Sequence, residues 1–275
     1  MKIANVLAAT GTLALLSTGA VMAGWEWTFP NGPDNCWTGN SCANTTTNER
    51  IYSGTSSNSN PAPGVTSTAW TEPSGSNLNQ RYLGSYGGGL GVINSQGDGD
   101  HEVDNQGWID AVLLNFDSPV ALNEVTFGWV DGDSDFTLAA YTGDGDDGGT
   151  DLSQWKYDQL TTKGWEVIGT YFAAGSASQP DVASGGDPVS FSVNSGNRSS
   201  SYWLVSALNP KLDSGLASFA NAYKDKFKLH AAGAHAPVTT PPPAQIPEPP
   251  VMWMLLLGLL GAAGLNRYRR FRLAS

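Results

Sequence analysis

The chain reads as an all-β protein, an antiparallel β-sandwich of jelly-roll type. Three observations predict it. Apolar residues recur with period two in short runs, Asp/Gly/Ser/Asn turns separate those runs, and only two stretches look helical. Such alternation gives each strand one face for a core and one for water, the pattern of stacked antiparallel sheets.

The elements follow in order. Gly24 to Gly89 is a loop-rich N-terminal part, dominated by Ser, Asn, Thr and Gly. Within it Trp25 and Trp27 share one face of an early strand, and Ser53 to Pro63 is loop. Arg81 to Tyr86 is a strand running into Gly87-Gly88-Gly89. From Leu90 the alternation sharpens. Val112, Leu114 and Phe116 share a face, as do Val125, Phe127 and Trp129, then Phe136, Leu138 and Ala140. Trp165, Val167 and Tyr171 form the next set, and Val189, Phe191 and Val193 another. Tyr202 and Leu204 oppose Trp203 and Val205, as in a central strand covered on both sides. Phe227 and Leu229 close the series as a short strand. Turns are expected at Asp117-Ser-Pro119, Asp131-Gly-Asp133, Thr142-Gly-Asp-Gly145 and Ser195-Gly-Asn197. The helical stretches are Asp151 to Tyr157 and Ser214 to Tyr223, and no repeat of fixed period is visible.

Both ends read as export segments flanking a secreted domain at 24–230. Residues 1–23 have the form of a signal peptide: Lys2, an apolar stretch from Ile3 to Ala20, and the small-residue site Val21-Met22-Ala23. Cleavage there leaves Gly24 at the N-terminus. Residues 231–250 are a linker, with Pro241-Pro242-Pro243 at its centre. Val251 to Leu265 is apolar, and 266–275 is a basic tail with Arg267, Arg269, Arg270 and Arg272. Fifteen helical residues reach about 22 Å, short of the ~30 Å hydrocarbon core. Such a short anchor suits a segment that is handled and removed. The arginines would stay cytoplasmic, which places the rest outside.

Pro247-Glu248-Pro249, the apolar run and the basic tail together resemble the PEP-CTERM sorting signal. The resemblance implies export by a Gram-negative bacterium that makes extracellular polysaccharide. Signal peptidase and an exosortase would be the processing partners, and the inner membrane a transient one. Gly89-Leu-Gly-Val-Ile-Asn94, Gly97-Asp-Gly-Asp-His-Glu-Val-Asp-Asn105, Asp110 to Phe116, Gly128-Trp129 and Asp225-Lys-Phe-Lys-Leu229 are similar to a family of exosortase-dependent surface proteins. That likeness implies fold and address, and no activity.

Charge narrows the partners. Five of the 14 Lys and Arg lie in the end segments, so nine cations face 25 Asp and Glu in the remainder. Nucleic acid, which needs clustered cations, is excluded as a partner. Cys36 and Cys42, in a Gly/Asn/Ser-rich stretch, are expected to form a small disulfide loop in an oxidising compartment.

Three acidic clusters are the candidate metal ligands: Asp98, Asp100, Glu102 and Asp104; Asp131, Asp133 and Asp135; and Asp144, Asp146, Asp147 and Asp151. Hard oxygens interleaved with Gly suit Ca²⁺, the one cofactor considered. Asp131-x-Asp133-x-Asp135 copies the opening of an EF-hand loop. Phe136 stands where its glycine belongs and Thr142 where its last glutamate belongs, so the loop is not an EF-hand. The competing reading is that these residues make solvated turns. Trp37 and Trp70, set in polar stretches, are candidates for stacking on glycans. No Gly-x-Ser-x-Gly, His-Glu-x-x-His or phosphate loop is present. The expected role is therefore non-enzymatic: a structural or adhesive component of the cell surface or its polysaccharide matrix. A carbohydrate-binding module is the alternative, with a secreted glycan hydrolase using Glu102 or Asp104 as a second one.

Overall fold

The computed structural model describes residues 24–29, 49–57, 59–93, 101–131, 133–143, 149, 151–172, 188–216 and 224–237. Both end segments, the sorting triplet, the tail arginines, Cys36, Cys42, Trp37, Asp98, Asp100, Asp144, Asp146 and Asp147 lie outside them. The described residues are mostly strand. In order these are β1 (Gly24–Thr28), β2 (Glu49–Ser53), β3 (Thr55–Ser56), β4 (Gly64–Glu72), β5 (Asn79–Tyr86) and β6 (Gly89–Ile93). There follow β7 (Val103–Asp104), β8 (Ile109–Val130), β9 (Phe136–Tyr141), the single α-helical turn α1 (Tyr157–Leu160) and β10 (Trp165–Tyr171). The series ends with β11 (Val189–Ser192), β12 (Ser200–Ala207) and β13 (Lys226–His235). The main pairing path runs β10-β9-β12-β8-β4-β5-β6-β13-β1-β3, and every ladder in it is antiparallel.

β8 organises this network. Its first half pairs β4 and β12, from Val65↔Phe116 and Ser206↔Ala111. Its second half pairs β11 and β13, as in Val189↔Phe127 and Ala232↔Val125. Between the halves lie Asp117, Ser118 and Pro119, exposed but inside one unbroken strand. The turn expected there is instead the point where β8 leaves one set of partners for another. Proline is tolerated because a strand changing partners gives up ladder hydrogen bonds at the crossing.

Alternation delivers the core. Val112, Leu114 and Phe116 of β8 join Trp203 and Val205 of β12, Leu138 of β9, Phe227 and Leu229 of β13, and Trp27 of β1 in one buried cluster. The Phe127 and Phe227 rings stack at 3.8 Å between centroids. Each such side chain contributes roughly 1.5–3 kcal/mol on burial. The intervening residues Leu113, Leu204, Ala139 and Trp70 face the other way. They form a second cluster with Leu152, Tyr157, Leu160 and Trp165. β12 is thus covered on both faces, as the opposed pairs in its sequence predict. The segment that covers the second face is tied down by Glu72 at the end of β4. Its carboxylate accepts the Tyr157 N–H at 2.7 Å and the Lys211 Nζ at 2.7 Å.

Several expectations are corrected. The N-terminal part is not mainly loop: β4 is a nine-residue strand between β8 on one side and β2 and β5 on the other. Its Thr- and Ser-rich sequence reads as polar, yet Ser67 and Thr71 are fully buried because they share the face of Val65 and Ala69, which points into the main core. Helix appears at Tyr157–Leu160, just beyond the stretch expected; of the second stretch, 214–223, only 214–216 is among the described residues, as the 3₁₀ turn Ser214–Leu216. The last strand is ten residues long. It uses Ala231, Ala232 and Ala234 as core positions, so the first five residues assigned to the linker are strand. Small side chains hid this, since alanine carries little strand signal of its own.

Candidate metal centre

The turn between β8 and β9 meets the head of β13. The Asp131 N–H donates to the Lys226 carbonyl at 3.1 Å, and the Lys226 N–H to the Asp133 carbonyl at 2.8 Å. Asp133 and Asp225 form an isolated parallel bridge. This brings one ligand oxygen each from Asp133, Asp135 and Asp225 within 4.8 Å of one another. Asp225 is fully buried and Asp135 is buried, whereas Asp133 is half-buried at the mouth.

Neighbouring donors aim the carboxylates. The Asp135 N–H donates to Asp225 Oδ1 at 3.1 Å, and the Asn105 side-chain amide donates to Asp225 Oδ2. Asn105 Oδ1 in turn accepts the Asp225 N–H at 3.0 Å. The Ser134 N–H donates to Asp133 Oδ1 at 2.9 Å. Phe136, the residue that spoils the EF-hand pattern, is fully buried and starts β9. The turn must therefore straighten into a strand after three aspartates and cannot wrap a cation by itself. Asp225, 90 residues away from Asp135, brings a third carboxylate to the group.

Electrostatically the group is held at a cost. Burial, then the charges of Asp135 and Asp133, push the Asp225 carboxyl from its ordinary value to about 8; the hydrogen bonds from Asn105 and Asp135 pull partly the other way. A bound cation would reverse that balance by favouring the ionised form. All three donors are carboxylates and none is a thiolate or imidazole. That donor set suits Ca²⁺ or Mg²⁺ and disfavours zinc.

The structure sorts the sequence candidates. Asp133 and Asp135 come together, and Asp131 of the same motif is exposed and outside the group. Glu102 is instead ion-paired, its Oε1 lying 2.8 Å from Lys228 Nζ. Asp104 Oδ1 accepts the Gln106 N–H at 2.7 Å. Neither joins the group of Asp133, Asp135 and Asp225. Asp225 was missed because Lys224 and Lys226 flank it and suggest a solvated strand end. The signal that could have found it is the strand alternation beginning at Phe227, which places Asp225 on the buried face.

Trp70 is also corrected as a glycan contact. It lies in β4, is 3 % exposed, and its indole N–H donates to Thr68 Oγ1 at 2.9 Å. It therefore presents no free ring face for a sugar. No protein-family model matches the chain, and no curated protein is similar to it.

Proposed function

We propose that the chain is an exported surface protein with a structural or adhesive role, folded as an antiparallel β-sandwich and stiffened by Ca²⁺ at Asp133, Asp135 and Asp225. The signal peptide at 1–23 takes it through the inner membrane, and a PEP-CTERM-type signal at Pro247-Glu248-Pro249, with Arg267, Arg269, Arg270 and Arg272 behind the apolar run, presents it to an exosortase. The sandwich reading is supported by the two partner sets of β8 and by a core drawn from both. The export reading is supported by the two end segments and by the acidic balance between them.

The observation that carries the proposal is the convergence of three carboxylates, two of them buried, from parts of the chain far apart in sequence. Such a group is costly when empty and becomes a clamp when filled. Sites in extracellular modules bind calcium with Kd of about 10⁻⁴–10⁻³ M and are filled where calcium is millimolar, so export supplies the ion. The test is thermal unfolding of the chain in millimolar calcium and then in chelator. Stabilisation that chelator reverses is expected, and indifference to calcium overturns the clamp. The address is tested separately, in a bacterium that carries an exosortase. Replacing Pro247, Glu248 and Pro249 by Ala should stop surface delivery, and unchanged delivery overturns the sorting reading.

A further inference from the structure

The face of β4 and β8 that carries the second core is covered on one side only. Leu152, Tyr157 and Leu160 seal the part over β9, β10 and β12. Where β2, β4 and β8 lie side by side the same face opens into a groove of about 440 Å³, within the usual range of ligand clefts. Cross-strand register builds it. Thr68 lies opposite Glu49 on one side and Leu113 on the other, Thr66 lies opposite Asn115, and Gln80 lies opposite Trp70.

Its chemistry is uniform. Two hydroxyls, Thr66 and Thr68, and two amides, Gln80 and Asn115, supply neutral donors and acceptors. Glu49 and Asp151 add carboxylate acceptors, and among the described residues no lysine or arginine lines the groove. The floor is Trp70 and Leu113, 3 % and 2 % exposed. Alternation puts Tyr82 on the same face as Gln80 and Ile51 on the same face as Glu49. These are two of the three large apolar side chains left exposed among the described residues, Ile51 at 79 % and Tyr82 at 44 %. An exposed phenol ring and aliphatic side chain on the strand face that also carries these amides and hydroxyls, at the margin of the lining, match a ligand with apolar ring faces and equatorial hydroxyls.

We propose that this groove binds a neutral oligosaccharide, with Gln80, Asn115, Thr66 and Thr68 hydrogen-bonding its hydroxyls and Tyr82 stacking on one ring. Glu49 and Asp151 set the specificity, since their charge admits neutral sugars and repels uronates. The inference rests on the surface-protein reading only for where such a polymer is met. Binding itself requires neither the sorting signal nor calcium, because no residue of the aspartate cluster lines the groove.

The experiment is calorimetric titration in chelator with cellohexaose, xylohexaose and maltohexaose, and with a hexamer of galacturonic acid. At least one neutral hexamer should bind and the uronate should not. Asn115→Ala and Tyr82→Ala should each weaken binding about tenfold, the effect of losing a hydrogen bond or a ring contact of ~1.4 kcal/mol. Their unfolding temperatures should stay near that of the unaltered chain, since Asn115 is part-exposed and Tyr82 exposed. No binding of any neutral hexamer at millimolar concentration overturns the proposal. So does preference for the uronate, or affinity that survives both substitutions. Because chelator is present throughout, failure here leaves the calcium clamp standing, and failure of the clamp leaves the groove untouched.

Discussion

Glu102 and Asp225 are both buried carboxylates beside β13, and they are stabilised in opposite ways. Glu102 has its cation built into the chain. Lys228 Nζ lies 2.8 Å from its Oε1, 4.0 Å from the Trp129 ring centroid and 5.3 Å from that of Tyr86. Asp225 sits among two further carboxylates, with an amide and a backbone N–H as its named donors. An internal ion pair is a permanent strut, indifferent to the medium. A carboxylate cluster is conditional: it is filled by a proton or by a divalent cation, and the surroundings decide which. The same strand thus holds a fixed fastening at Lys228 and a conditional one at Asp225, three residues apart.

Breaking the fixed fastening should have the largest effect. Lys228→Met leaves Glu102 buried beside apolar and aromatic groups, and Glu102 Oε2 already has no hydrogen-bond partner among the described residues. A loss of about 3–5 kcal/mol is expected, read as a fall of roughly 6–20 °C in unfolding temperature. Adding Glu102→Gln should recover a good part of it; a double variant as unstable as the single one would argue that packing on Trp129 matters more than charge.

The conditional fastening comes next. At calcium 100 times its Kd the fold should gain ~2.7 kcal/mol, roughly 5–10 °C. Asp225→Asn should abolish that gain and also stabilise the calcium-free protein at neutral pH, because the amide is neutral without the protonation that burial and its neighbours force on the carboxyl. The opposite signs with and without calcium distinguish a metal site from a structural carboxylate. If the variant loses stability in both media, Asp225 serves only its hydrogen bonds.

The third effect is on pH, and its sign follows from Asp225. Its carboxyl is pushed up to about 8 in the folded chain, above the unfolded value. The folded state therefore holds the extra proton between those limits. In chelator this contribution to stability is full below about pH 4 and is lost as pH rises towards about 8. Saturating calcium should flatten that slope, and calcium affinity should rise over the same interval as the proton is displaced. A slope unaltered by calcium would assign the dependence elsewhere. The smallest effect is expected from Asp131→Asn, within about 0.5 kcal/mol and with the calcium response intact, since Asp131 is exposed and outside the cluster.

Much of the strand order after Leu90 was legible, because each strand there carries large β-branched or aromatic residues at period two. Val112, Leu114 and Phe116 face the core as the pattern states, and so do Trp203 and Val205. β4 was not legible. Its strand face is made of Thr and Ser, and Trp70 amid them looked like a loop aromatic until β8 and β5 enclosed it. Two of the three carboxylates of the candidate centre, Asp133 and Asp135, were visible. The third, Asp225, was not, nor was the pairing of Glu102 with Lys228.

The amino-acid order by itself determined what is local: which faces alternate, where Gly, Asp and Asn permit turns, the acidic excess, and the two export-like ends. Tertiary structure alone decided which acids converge as candidate ligands and which form ion pairs. Asp225 reaches Asp135 across 90 residues, and Lys228 reaches Glu102 across 126. Both meetings depend on strand register, and a slip of one residue would turn either side chain to the opposite face. Register is set by how large side chains such as Phe127, Phe136 and Phe227 fill the shared core, a property of the packed whole and not of any segment.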